Sequence, residues 1–275
     1  MIGTWKDGIT TATNLCVVGA TGRFGRSIIS QTDSEIRISG AVCSDSNPLV
    51  GKNLREAGIQ ESDMRISGAS EIETAVAGSD VVLFVSKPDA DLVNVPKVVA
   101  LKKRIVLGTT GFTTTQMEQL NSLLTRVPSI VASNFSVGAN ILFQIAQLVS
   151  RFSKLYDYSI VEEHHKRKLD APSGTAKTMV QLLNSQSAFP VTVTDRSVKP
   201  KRMAGEIEMV SLRGGGTPGI HQLIMAGEHD MIRIEHIAFS RAAGAAGAVI
   251  ACKWIAGKQQ PGICSMQDVL GLGGS

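Results

Sequence analysis

Asn14-Leu15-Cys16-Val17-Val18 runs directly into Gly19-Ala20-Thr21-Gly22-Arg23-Phe24-Gly25, and this junction decides the fold. The apolar run reads as a strand. The G-x-x-G-x-x-G turn after it opens a helix that reaches about Gln31. Glycines there permit a tight reversal and close backbone approach to a pyrophosphate. The helix N-terminus beyond them offers unpaired N–H groups and a partial positive charge. A glycine pattern alone is weak evidence, but this one follows a strand and opens a helix. That context predicts dinucleotide binding.

Outward from the junction, short apolar runs alternate with helical stretches. Ile36–Cys43, Asp80–Val85, Arg104–Leu107 and Ser129–Ala132 read as strands. The continuous apolar character of DVVLFV suits a strand buried on both faces of a parallel sheet. Pro88 opens a helix to about Lys103, and Thr113–Arg126 is another. Such alternation implies right-handed crossovers and a doubly wound α/β sheet of Rossmann type. Two further turns, Leu107–Gly111 and Ala132–Phe135, follow strands of this series. Ligands of open α/β sheets lie beyond the carboxyl ends of the strands, so both turns are expected at one crevice.

After Asn134 the pattern changes. A long helix, about Val137–Ser153, leads to a strand at Tyr158–Glu163, a polar loop, and a helix from Gly174. Glu206–Leu212, Ile220–Ala226 and Met231–Ala238 then read as consecutive strands, which predicts an antiparallel or mixed sheet in a second, α+β domain. Ala242–Ile255 is helical and rich in small residues. The 275-residue length fits two domains at about 150 residues each.

Composition narrows the function. The chain is 43% hydrophobic and 19% charged, with a net charge of +4, which suits a globular enzyme with anionic ligands. Aromatic residues at 4% provide no set of stacking rings for nucleic acid. No apolar run is long enough for a membrane span, and Met1–Asn14 lacks the apolar core of a signal peptide. Four scattered cysteines (Cys16, Cys43, Cys252 and Cys264) form no C-x-x-C pair, so a reduced, cytoplasmic chain is expected.

The chemistry-bearing stretch is Glu162-Glu163-His164-His165-Lys166-Arg167-Lys168-Leu169-Asp170-Ala171-Pro172-Ser173-Gly174-Thr175-Ala176. Two histidines and three cations stand at a strand end, just before a helix that Asp170 or Ser173 can cap. The N–H groups of Gly174 and Thr175 would then make a carboxylate site. His164 or Lys168 could donate a proton. A metal is not expected. Adjacent histidines on a strand point to opposite faces and no cysteine completes a ligand set, although Glu162, Glu163 and Asp170 could contribute.

The pattern E-x-H-H-x-x-K-x-D-A-P-S-G-T-A at Glu162–Ala176 resembles the signature of the 4-hydroxy-tetrahydrodipicolinate (dihydrodipicolinate) reductase family of the diaminopimelate route to lysine. The G-x-x-G-R-F-G turn, Gly108–Phe112 and Ser133–Asn140 resemble it too, in the same order. The resemblance implies NADPH or NADH as cofactor and a cyclic dicarboxylic imine as substrate. It implies His164 and Lys168 as catalytic acid groups, with His165, Gly174 and Thr175 holding the substrate carboxylates. The dinucleotide would meet Gly19, Ala20, Thr21, Gly22, Arg23, Phe24, Gly108, Thr109, Thr110, Ala132, Ser133, Asn134 and Phe135. Residues 1–135, completed by 241–275, would bind it. Residues 136–240 would bind substrate and assemble a homotetramer.

Two departures stand out. Ser44, followed by Asp45, occupies the position where the family often carries an acid for the adenosine ribose. Ile220 stands where Glu is usual, near the glycine-rich Gly214–Gly216 and between the retained Arg213 and His221. The alternatives are a related two-domain amino-acid dehydrogenase and a non-catalytic dinucleotide sensor. The intact His164 and Lys168 argue against the sensor, and the His-His-Lys loop against the dehydrogenase.

Overall fold

The computed structural model describes residues 12–186, 192–193, 197, 201–203 and 205–272. The chain divides into two compact units, residues 1–136 with 244–275, and residues 137–243.

The first unit holds β1 (Thr13–Val18), α1 (Arg23–Ile29), β2 (Ile36–Cys43), β3 (Ile66–Gly68), α2 (Ile72–Val76), β4 (Val81–Phe84), α3 (Pro88–Ala100), β5 (Arg104–Leu107), α4 (Thr114–Leu124) and β6 (Pro128–Val131). Its seven strands are all parallel, in the order β12-β6-β5-β4-β1-β2-β3, with β12 (Gly262–Cys264) supplied by the C-terminal segment. The chain runs from β1 outward to β3, then crosses back to β4 on the other side of β1. That reversal between β1 and β4 is the switch point where open sheets bind ligands.

Alternate side chains point to opposite faces, so each sheet face has its own core. Leu15, Val17, Leu83, Val106 and Ile130 pack on one side, with the helix that begins at Ala242. Cys16, Val18, Val82, Phe84, Ile105 and Leu107 pack on the other, with α2, α3 and α4. Thr113 caps α4 in a capping box with Gln116. β3 and β12 were not predicted. Each is three residues long at a sheet edge, too short for an apolar alternation to register.

The second unit holds α5 (Val137–Val149), β7 (Asp157–His164), α6 (Gly174–Leu183), β8 (Thr192–Val193), β9 (Ile207–Arg213), β10 (Gly219–Ala226) and β11 (Met231–Ala238). Its sheet is mixed, in the order β11-β10-β7-β9-β8. β10 is antiparallel to both neighbours, whereas β7 and β9 are parallel. α5 and α6 cover one face through Leu142, Phe143, Ala146, Met179 and Leu183 against Tyr158, Ile160, Met209 and Leu223. α7 (Ala242–Ala256) and α8 (Met266–Val269) complete the elements. All four cysteines are free. Among the described residues no helix is long and apolar enough to cross a membrane.

Candidate active site

In the first unit the glycine turn joins β1 to α1 as the sequence predicts. Gly19 has φ +96°, and a Cβ there would lie 2.5 Å from the Val85 carbonyl oxygen at the end of β4. A Cβ on Gly25 would lie 2.2 Å from the Gly19 oxygen. Both positions therefore require glycine. Gly22 is the N-cap of α1 and brings no side-chain acceptor, so the turn fits an anionic group of a dinucleotide.

Gly108, Thr109 and Thr110 follow β5, and Ala132, Ser133, Asn134 and Phe135 follow β6. These strands run parallel to β1 and β4, so the predicted nucleotide residues Gly19, Ala20, Thr21, Gly22, Arg23 and Phe24 share one sheet edge with both turns. The Phe135 ring fills the space that a Cβ on Gly108 would take, 2.5 Å away.

Sequence reading missed two residues here. Thr109 Oγ1 accepts from the Ser86 N–H at 2.9 Å, and Ser86 Oγ donates to Asp91 Oδ1 at 2.5 Å. Asp91 is fully buried. Burial pushes its carboxyl up to about 6, against the pull of the Ser86 and Thr109 hydroxyls. The available signal was an acid in the first turn of a helix that opens at the end of a core strand.

At the end of β2, Ser44 Oγ lies 3.0 Å from Ser46 Oγ. Asp45 turns to Ser70, accepting from its N–H at 3.0 Å and its hydroxyl at 2.7 Å. Those two bonds hold the Asp45 carboxyl below the usual carboxylate range.

The second unit gathers its polar groups by register. On the helix-covered face one row crosses four strands: Ser211 on β9, Glu162 on β7, His221 on β10 and His236 on β11. Two residues on, His164 pairs with Arg213 on β9, and Gly219 on β10 pairs with Ala238 on β11. Residues two apart on a strand share a face, so Glu162 and His164 lie side by side. A Cβ on Gly219 would come within 3.2 Å of His164 Nε2.

Glu162 is fully buried. Its Oε2 pairs with His164 Nδ1, and its Oε1 accepts from Arg213 Nη2 at 2.8 Å and from the Ser173 N–H at 3.3 Å. Burial alone would raise this carboxyl. The hydrogen bonds from His164, Arg213 and Ser211 outweigh it and hold the group well below the usual range. Arg213 Nη2 also donates to the Asp170 carbonyl at 2.6 Å, tying the loop to β9.

Ser173, not Asp170, is the N-cap of α6, its Oγ accepting from Ala176 N–H at 3.2 Å. The same Oγ shares a 3.2 Å hydrogen bond with His221 Nε2. Burial first, and His164 second, drive His221 down to about 3, so it is neutral at pH 7. Gly174 and Thr175 form the first positions of α6, next to this cap.

The cation run splits. Lys166 and Arg167 are exposed, whereas Lys168 is half-buried, with Nζ 2.8 Å from Asp170 Oδ1. Partial burial, followed by the charges of Arg167 and Arg241, lowers His165. No local pattern points to Arg241, which lies 76 positions beyond His165. Glu162, His164 and His221 each bring one ligand-type atom within 4.8 Å of the others. Arg213 already occupies that carboxylate with positive charge, which favours a hydrogen-bonded network over a cation.

Similarity to known reductases along nearly its whole length places this chain among the two-unit NAD(P)H-dependent oxidoreductases. Residues 13–135 match the family model described as dihydrodipicolinate reductase, N-terminus, and residues 138–270 match its C-terminus counterpart. The chain belongs to the dihydrodipicolinate reductase family. It is 37% identical over 262 residues to 4-hydroxy-tetrahydrodipicolinate reductase of Aquifex aeolicus, covering 93% of this chain and 98% of that protein. It is 34% identical over 266 residues to the enzyme of that name from Nitrosospira multiformis, covering 94% and 98%. Its fold is similar to dipicolinate-bound dihydrodipicolinate reductase from Paenisporosarcina sp. TG-14, with TM-score 0.72, 22% identity, and coverage of 94% and 98%. The fold is also similar to aspartate semialdehyde dehydrogenase II of Vibrio cholerae, at TM-score 0.55, 9% identity, and coverage of 89% and 98%.

Proposed function

We propose that this chain reduces the cyclic dicarboxylic imine of the diaminopimelate route to tetrahydrodipicolinate, with His164 and Lys168 as its acid groups. Membership of the reductase family supplies the reaction. The observation that carries the residue assignment is the His164–Glu162 pair, buried beside the first turn of α6.

The reaction adds a hydride to C4 of a conjugated ring and a proton to the resulting enamine. When bound, the dihydronicotinamide supplies the hydride. The chain must hold two carboxylates and deliver the proton. His165, with Gly174 and Thr175 at the start of α6, would hold the carboxylates, since a helix N-terminus attracts anions. The positive field of Lys168, Arg167 and Arg241 around His165 favours a dianion. Lys168 would donate the proton, and His164, whose Nδ1 is taken by Glu162, would work through Nε2.

Residues 1–135 with 241–275 would bind the dinucleotide, and 136–240 the substrate. Ser44 in place of the usual acid, with Asp45 occupied by Ser70, favours NADPH at least as well as NADH. Exposed Leu212, Met231, Ile237 and Phe239 in the second unit support self-association, and a homotetramer is the proposed assembly. The proposed compartment is the cytoplasm, in keeping with four free thiols. A small dicarboxylate is the proposed ligand, and no nucleic acid or membrane partner is proposed.

The test is oxidation of NADPH and of NADH with substrate freshly made from aspartate semialdehyde and pyruvate. Consumption of either supports the reading. Tight dinucleotide binding with no consumption of either would favour a sensor.

A further inference from the structure

We infer that Glu162 is the positioning residue of this site: one buried carboxylate that fixes the His164 ring and the start of α6 in a single relation. The inference deepens the proposed reaction and rests on it for the role of His164.

The carboxylate reaches three separate parts of the unit. Oε2 pairs with His164 Nδ1 at the end of β7. Oε1 accepts from the Ser173 N–H, at the N-cap of α6, and from Arg213 Nη2 on β9. Arg213 in turn holds the Asp170 carbonyl of the connecting loop at 2.6 Å. One carboxylate thus joins His164, Ser173 and Arg213.

A carboxylate acceptor on Nδ1 selects the tautomer that carries its proton there and stabilises the imidazolium. Nε2 is then the working nitrogen, and glycine at 219 leaves room beside it, since a Cβ would stand 3.2 Å away. The same carboxylate sets where α6 begins, and with it the first-turn groups of Gly174 and Thr175. Glu162 has no exposed surface. It acts through its neighbours.

The experiment compares full-length wild type with Glu162→Gln. Ring 15N shifts of His164, assigned with His164→Gln, are read first. Wild type is expected to carry its neutral-ring proton on Nδ1, and Glu162→Gln to lose that preference. In turnover, Glu162→Gln is expected to lose roughly 10²–10⁴-fold in kcat, as when a histidine loses its orienting carboxylate. Dinucleotide affinity should be unchanged. Glu162→Asp, which keeps the charge, should recover part of kcat and the Nδ1 preference.

Three results overturn the inference. They are a wild-type His164 protonated on Nε2, a Glu162→Gln variant with wild-type kcat, and a loss of kcat with the tautomer unchanged. The wild-type ring shifts decide the matter even where the variant does not fold. They also decide it where the wild type reduces no substrate, which would instead sink the proposed reaction.

Discussion

Arg213 Nη2 stands 2.8 Å from Glu162 Oε1 across the parallel pair β7–β9, with the carboxylate wholly removed from solvent. Removing one partner of a buried ion pair leaves the other charged and unpaired. Arg213→Met is therefore expected to destabilise the protein by about 3–5 kcal/mol at pH 7, read by urea unfolding. The sign with pH follows from Glu162, whose carboxyl is held below its ordinary value of 4.5. Its stabilisation is complete above that value and is lost as pH falls through the depressed one. The gap between wild type and variant should narrow on acidification below about pH 4.5. A gap that widened would show that the pair is not what stabilises the sheet.

Lys168 is the cation of its run that is half-buried, so its loss should act on chemistry rather than on fold. Lys168→Ala is expected to lower kcat by about 10²–10⁴-fold, the usual worth of a positioned acid, with dinucleotide affinity unchanged. Single-turnover kinetics and a binding titration measure the two separately. Normal kcat with weakened dinucleotide binding would remove Lys168 from the acid role.

Cofactor choice should turn on Ser44 and Asp45. NADPH is expected to be used at least as well as NADH. Ser44→Glu should shift preference toward NADH by roughly 5- to 30-fold in kcat/KM, a repulsion of about 1–2 kcal/mol against the 2′-phosphate. Ser70→Ala would remove the 2.7 Å hydroxyl bond to Asp45 while keeping the 3.0 Å bond from the backbone N–H, and should shift preference the same way by a smaller factor. A wild type favouring NADH tenfold would mean that Asp45 already serves the ribose.

Asp91 should give the opposite pH sign to Glu162. Its carboxyl is raised to about 6 from 3.8 by burial, so the folded state holds its proton longer than the unfolded chain does. Stability from this group is full below pH 3.8 and declines as pH rises to about 6. Asp91→Asn, which keeps an acceptor for Ser86, should stabilise the protein at pH 8 by roughly 2–3 kcal/mol and have little effect at pH 4. Thermal unfolding at both pH values tests this. Equal effects at both would show that the carboxyl titrates normally.

Much of the site was legible because its signals are local. The Gly19–Gly25 turn, the Ser173 cap and the loop cations each declare themselves within a few residues, since caps and turns are satisfied by near neighbours. Local reading also placed β5 and β11 to the residue, because apolar runs and their flanking breaks mark those strands. It left Asp170 and Ser173 as rival caps. Backbone geometry chose Ser173, and Asp170 instead meets Lys168.

The sequence by itself determined two architectures and the stretch that bears the chemistry. Hydrophobic period and turn residues act over one strand or one helix turn, and those distances lie within a few positions of the chain. Only the tertiary structure decided which groups face one another. Glu162 meets His221 because β10 returns antiparallel beside β7 in one register, and a slip of one residue would send either side chain to the other face. Arg213 reaches Glu162 from 51 positions away because β9 lies parallel on the other side. Neither register is written in a local pattern. Both are set by which pairing buries the apolar face against α5 and α6 while leaving the buried carboxylate matched, and that is a property of the packed unit.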